Sequence, residues 1–211
     1  MKKILLSIAV FFALFGCEKS NLNNPENSNI TTEGRDWVLI NGVRWATRNV
    51  GSPRTFVANP EDYGSYYQWN KGTTDFLFYE DYYNSVYANA SSWFPTNEPS
   101  PAGYRVPTLT EIKSLCDTSY VSTEWTTRNG VNGREFTDRV SGKNIFLPVA
   151  GYRYSYDGTL CLAGDLGAYW SSMPNGGNIA YTLGFYSGIS GWNTWNGSQR
   201  SLGFSVRPVI K

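Results

Sequence analysis

Two tryptophans, Trp192 and Trp195, stand in the polar stretch SGWNTWNGSQRS from Ser190 to Ser201. An indole face stacks on the apolar face of a sugar ring. The amides of Asn193, Asn196 and Gln199 can each donate to and accept from hydroxyls. This is the make-up of a carbohydrate-binding loop, and these five residues are its candidate contacts. The same residues suit a tryptophan pair packed under a turn whose geometry Asn and Gly set, so both readings stay open. A second aromatic run, FLFYEDYYNSVY from Phe76 to Tyr87, has the Tyr-rich, Asn-containing character of adaptable binding loops. It equally fits a loop folded back on the edge of the domain.

Other chemistries find less material. The chain holds 15 Tyr, 8 Trp and 11 Phe but no His, which removes His-dependent triads, His-ligated zinc and His general bases. A glycosidase needs two carboxylates at a set separation. The chain has 17 acidic residues, yet none lies in a recognisable catalytic motif. Glu61 and Asp62 read as turn caps and Glu111 as part of a helix cap. No enzyme is expected. No long basic run provides the positive footprint that nucleic acid requires.

The amino end reads as a leader. Lys2 and Lys3 precede an apolar run from Ile4 to Phe15 that is too short to span a bilayer. Leu14-Phe15-Gly16-Cys17 resembles a bacterial lipobox, which implies cleavage after Gly16 and lipidation of Cys17. Loss of Lys2 and Lys3 with that leader takes the formal net charge from +1 to −1. Residues 18–34 hold five Asn and few apolar side chains, too little to offset the entropy of ordering, so they read as a tether. The expected organisation is a signal peptide over 1–16, a lipidated Cys and tether over 17–35, and a folded domain over 36–211. The membrane is then a partner through the N-terminal lipid. The expected location is the outer membrane, with either the periplasmic or the external face open. Export implies an oxidising compartment, where Cys116 and Cys161 could pair, closing a loop worth roughly 4 kcal/mol. Two separate buried thiols are the alternative.

The domain must be built from short elements. In WVLINGVRWAT, Asn41-Gly42 between two β-rich runs signals a type I′ hairpin. Pro60 to Asn70 suggests a short helical turn leading into an aromatic segment, and residues 71–99 show no clear period. Thr108-Leu109-Thr110-Glu111 matches a capping box. Leu109, Ile112, Leu115 and Cys116 then form one apolar stripe of a short helix. NIFLPVAGYRY, GAYWSS, IAYTLGFYS and LGFSVRPVI are strand candidates. Ile179, Tyr181, Leu183 and Phe185 alternate as on a half-buried strand. Strands with a few helices give an α+β class.

The blocks AGYRVPTLTEIKSL, NIFLPVAGYRY, YWSS and RSLGFSVRPV, opened by VRWATRN and YGSYYQWN, occur in the order of the Fibrobacter succinogenes major paralogous domain. The resemblance covers about Trp37 to Lys211. That family is common in Bacteroidetes lipoproteins and surface proteins. It is similar to the C-type-lectin-like fold shared by formylglycine-generating enzymes and a collagen-like adhesin domain. The resemblance implies small twisted antiparallel sheets flanked by two helices, with long loops projecting from one end. It implies structural roles for Arg105, which would tie loop backbone or a carboxylate, and for Arg207. Where the family often has Cys-Pro before its Gly-Trp-Arg block, this chain has Ser100-Pro101-Ala102-Gly103-Tyr104-Arg105. The copper-binding cysteines of the formylglycine enzymes find no matching motif. The calcium motifs of C-type lectins are only half echoed, in Glu98-Pro99-Ser100 and Trp192-Asn193-Thr194, and calcium wants several carboxylates. No metal or other cofactor is expected. The expected function is a non-enzymatic surface module that binds glycan or extracellular protein. The alternative is a structural or accessory component of a cell-surface assembly.

Overall fold

Asn41 and Gly42 take φ of 42° and 79°, the pair a type I′ turn demands. Strand β1 (Trp37–Ile40) therefore folds back in register on β2 (Val43–Ala46). The computed structural model describes residues 36–187 and 197–211. After β2 come β3 (Tyr67–Gln68), helix α1 (Tyr79–Tyr83), a 3-10 turn (Pro95–Asn97), β4 (Tyr104–Arg105) and helix α2 (Leu109–Leu115). Strands β5 (Val121–Arg128), β6 (Val131–Asp138), β7 (Asn144–Pro148), β8 (Tyr152–Arg153) and β9 (Leu160–Cys161) follow. The chain closes with β10 (Leu166–Pro174), β11 (Ile179–Tyr186), β12 (Ser198–Gln199), β13 (Gly203–Phe204) and β14 (Val209–Ile210).

These strands form small antiparallel sheets in the orders β1-β2-β14-β4, β10-β11-β12, β3-β13-β8-β9 and β5-β6-β7. A second positive-φ pair, Asn129 and Gly130, turns the β5–β6 hairpin. The class is α+β and mainly β. The last strand closes against the first hairpin: Val209 pairs with Trp45 on one side and Arg105 on the other.

The β10–β11 sheet divides two apolar clusters. Successive strand residues point to opposite faces. Thus Tyr169 enters a cluster with Trp45, Ile112, Leu115, Phe136 and Phe185, while Trp170 enters another with Tyr67, Trp69, Trp93 and Phe204. This corrects the one-sided alternation expected for β11. Leu183 and Phe185 serve the first cluster and Ala180 the second, whereas Ile179 and Tyr181 are only half-buried. Polar atoms inside are tied across elements. The Trp170 indole N–H donates to the Tyr67 carbonyl (2.6 Å) and that of Trp69 to the Ser171 carbonyl (2.9 Å).

Helix α2 opens as a capping box. The Thr108 hydroxyl accepts from the Glu111 amide, and the Glu111 carboxylate accepts from the Thr108 amide at 2.7 Å. Of its expected stripe, Ile112, Leu115 and Cys116 are buried in the first cluster, whereas Leu109 in the first turn is only half-buried and lies outside it. Cys116 and Cys161, the cysteines among the described residues, are free thiols and do not pair, Cys116 buried and Cys161 half-buried.

Three local expectations change. Residues 60–70 hold a turn and the two residues of β3 rather than a helical turn. Residues 71–99, without a readable period, contain α1 and the 3-10 turn. Asp62 does cap its turn, through the Asn59 amide at 2.8 Å, but Glu61 is buried and accepts from the Asn129 side chain. The Glu61 contact comes from a side chain 68 positions away, which no local pattern could show.

Candidate functional site

The run Phe76 to Tyr87 lies against the domain edge, held there by polar contacts. The Gln68 side chain bonds Leu77 as a neighbouring strand would. Its Nε2 donates to the Leu77 carbonyl (2.6 Å) and its Oε1 accepts from the Leu77 amide (2.8 Å). Buried Tyr82 donates its hydroxyl to the Trp69 carbonyl at 2.6 Å. The buried Lys71 ammonium engages Thr73 Oγ1 at 2.7 Å, the Asp75 carbonyl, and the Asp75 carboxylate at 2.7 Å. Arg200, only 3% exposed, pins the following segment. Its Nη1 donates to the carbonyls of Ala88 (2.7 Å) and Ala90 (2.9 Å), and its guanidinium sits 4.3 Å from the Trp69 ring centroid. Burial lowers its pKa.

That scaffold leaves part of the run facing water. Phe78 is 51% exposed. Tyr79 and Tyr83, one helical turn apart on α1, meet edge to face at 4.6 Å. Tyr156 comes to them from the β8–β9 hairpin and stacks on Tyr79, with centroids 4.8 Å apart and planes 8° from parallel. Tyr154 lies 5.4 Å from Tyr156. Tyr156 remains 58% exposed and Tyr154 40%. Hydrogen bonds close their hairpin tip. Gly158 takes φ of 71° and its amide donates to the Tyr154 carbonyl (2.9 Å). Asp157 Oδ1 accepts from the Thr159 amide (2.9 Å), and Arg153 Nη1 donates to the Gly158 carbonyl (2.8 Å). Four tyrosines on two elements thus make an aromatic platform; α1 also carries Glu80 and Asp81, and the hairpin Arg153 and Asp157. Chemically it offers ring faces for stacking and phenol hydroxyls for hydrogen bonds, with little conformational entropy to lose on binding.

The sequence candidates fall as follows. Cys17, Trp192, Asn193, Trp195 and Asn196 lie outside the described residues. Gln199 is exposed on edge strand β12, paired with Ile179. Two residues on, Ser201 Oγ lies 3.4 Å from the Tyr83 hydroxyl, so the end of the Trp-containing stretch abuts the tyrosine platform. Arg105 is an organiser: Nη1 and Nη2 grip Glu111 Oε2 (2.8 Å) and Oε1 (2.6 Å). Burial would raise the Glu111 pKa, but the bonds from Arg105 and Thr108 outweigh it and hold the carboxyl below its usual range. Arg207 is 1% exposed. It donates to Asn49 Oδ1 (2.8 Å) and to the carbonyls of Ala46 (3.2 Å), Phe146 (3.0 Å) and Pro60 (3.4 Å). Burial pulls its pKa down to about 10.

Tyr156 was missed as a site residue, although the signal was present. In YRYSYDG, Tyr152, Tyr154 and Tyr156 recur at period two before an Asp-Gly turn pair. Among the described residues, no group of three or more His, Cys, Asp or Glu is placed to hold a metal, and no helix is long and apolar enough to cross a membrane. No family model matches the chain, and neither a curated protein nor a solved structure matches it significantly.

Proposed function

We propose that this chain is an exported lipoprotein, anchored through Cys17, whose domain is a lectin-like module of the major paralogous family type that binds extracellular glycan. The family and lectin-like reading rests on the sequence blocks. The binding reading rests chiefly on one observation, the exposed platform of Tyr79, Tyr83, Tyr154 and Tyr156. Folding a pair of tyrosines face to face in water orders two large side chains, and the stack itself returns only about 0.5–1.5 kcal/mol. A platform of this kind, fixed from two separate elements, suits a ring ligand laid across it. The abutting stretch around Gln199 would add amide contacts.

Glycan-array binding of the full chain tests this, alongside Tyr156→Ala, Trp192→Ala and Trp195→Ala. Tyr156 is largely exposed, so its replacement leaves the fold intact while removing the outer ring of the stack. The expected result is a glycan signal that Tyr156→Ala reduces about tenfold, the loss of roughly one stacking contact. Wild-type binding by Tyr156→Ala, or no glycan signal from the full chain, overturns the reading. The second outcome would favour a component of a surface assembly.

A further inference from the structure

Strand β5 forms the rim of the β5-β6-β7 sheet. Its eight residues pair with β6 in one unbroken register, from Val121 with Asp138 to Arg128 with Val131. The two-residue Asn129-Gly130 turn makes Arg128 and Val131 a hydrogen-bonded pair. Ser122, Glu124, Thr126 and Arg128 therefore turn their backbone groups toward β6, while Val121, Thr123, Trp125 and Thr127 turn theirs outward. The Val121 amide is satisfied by the Asp117 carbonyl at 2.8 Å. The amides and carbonyls of Thr123, Trp125 and Thr127 have no hydrogen-bond partner among the described residues. The outer edge of β10, by contrast, is taken by other segments. There the Trp170 amide donates to the Ser205 carbonyl (3.2 Å) and the Ser172 amide to the Pro107 carbonyl (2.8 Å).

An open edge of this length is ordinarily protected by a proline, a lysine or a bulge. VSTEWTTR has none of these, and the charges it does carry form a pattern. Glu124 and Arg128 lie on one face of the strand, because side chains alternate and the two differ by an even number of residues. Arg128 Nη2 reaches Glu135 Oε2 on β6 at 3.2 Å. Exposed Glu124 stands directly opposite Glu135 in the ladder and has no ion-pair partner among the described residues. Like charges facing each other across a ladder are destabilising, so a cation arriving on the outer side of Glu124 relieves that pair.

We propose that β5 pairs antiparallel with β5 of a second copy of this chain, about a two-fold axis at Thr126, joining the two sheets into one. Charge selects the register. Outward-facing residues must meet one another across the contact, which requires the axis to pass through a residue rather than between two. An axis at Glu124 opposes the two carboxylates, and one at Trp125 or Thr127 leaves Glu124 without a cation opposite. An axis at Thr126 sets Glu124 against the partner's Arg128 and, by symmetry, Arg128 against the partner's Glu124. Trp125 and the partner's Thr127 then exchange both backbone bonds. Thr126 faces the partner's Thr126, so the contact also gains aromatic–β-branched and Thr–Thr pairs. The interface is small, which sets the expected dissociation constant in the micromolar range. The inference is independent of the glycan reading.

Sedimentation velocity of the Cys17→Ser chain should show a dimer that grows with concentration. Glu124→Arg should weaken it about tenfold, through loss of two exposed ion pairs. Its fold should survive, because the new guanidinium faces Glu135 of its own chain. Cysteine cross-linking tests the register in a Cys17→Ser, Cys161→Ser background, in which the remaining Cys116 is buried. Thr126→Cys places two thiols across the axis and should give a disulfide-linked dimer on mild oxidation. Glu124→Cys, whose thiols lie about four residues apart along the ladder, should cross-link about tenfold more slowly. A chain still monomeric at about 100 μM overturns the inference, whether its edge is covered by residues 1–35 or kept for another protein. Equal cross-linking of the two cysteine variants, or a dimer unaffected by Glu124→Arg, overturns it as well.

Discussion

Replacing Glu111 should separate two contributions that meet in one carboxylate. Oε2 accepts from the Thr108 amide (2.7 Å) and hydroxyl (2.9 Å) and from Arg105 Nη1 (2.8 Å), while Oε1 accepts from Arg105 Nη2 (2.6 Å). The reach-back half of a capping box is worth about 1 kcal/mol. The bidentate pair is discounted to about 1 kcal/mol, because a third of the Arg105 side chain meets water. Glu111→Gln keeps an acceptor for the cap but loses the charge, so it should cost about 1 kcal/mol. Glu111→Ala loses both and should cost about 2 kcal/mol. Urea unfolding at neutral pH with an unchanged m-value reads these differences. A double-mutant cycle of Glu111→Gln with Arg105→Ala should return a coupling near 1 kcal/mol. The pH dependence has a definite sign. The carboxyl is held below its ordinary pKa in the folded state, so its stabilisation is complete above the unfolded value of about 4.3. It is lost as pH falls from there through the folded value, and Glu111→Gln should flatten that part of the acid limb. A coupling below about 0.3 kcal/mol, or Gln as costly as Ala, would refute the partition.

Asp138 joins three segments in the same manner. Its Oδ2 accepts from the Asn41 amide (2.8 Å), and its Oδ1 from the Val140 amide (3.1 Å), the Ser141 amide (2.7 Å) and the Ser141 hydroxyl (2.9 Å). The Asn41 amide, then that of Ser141, hold its pKa at about 2. Asp138→Asn should cost roughly 1–2 kcal/mol at neutral pH. That cost should shrink as pH falls from about 4 through 2, as followed by urea midpoints; a cost independent of pH would contradict it. Burial pushes the Cys116 thiol up to about 12, whereas Cys161 is half-buried. In folded Cys17→Ser protein one thiol should react rapidly with a disulfide reagent and the second only on unfolding; two rapid thiols, or none, would contradict the structure.

The features legible in the sequence are those decided within a few residues. Asn41-Gly42 makes its hairpin because both residues tolerate positive φ, whatever surrounds them. Thr108 and Glu111 form their box because one helical turn places each side chain beside the other's amide. The apolar stripe Ile112, Leu115 and Cys116 follows from the same periodicity. Residues 71–99 were opaque for the opposite reason. Their conformation hangs on Gln68, Lys71 and Arg200, side chains whose partners lie up to 112 positions away. The tryptophan loop was the conspicuous candidate, yet Trp192 and Trp195 lie outside the described residues, and the surface the structure does present is tyrosine.

The sequence by itself determined the turn chemistry, the helix cap and the mixture of short strands, since each depends on the covalent geometry and local hydrogen bonding of neighbouring residues. Only the tertiary structure decided that β10 is buried on both faces and that Tyr156 stacks on Tyr79. Those outcomes depend on which distant segments the two apolar clusters draw together, and burial of area is non-directional, so no short stretch encodes them.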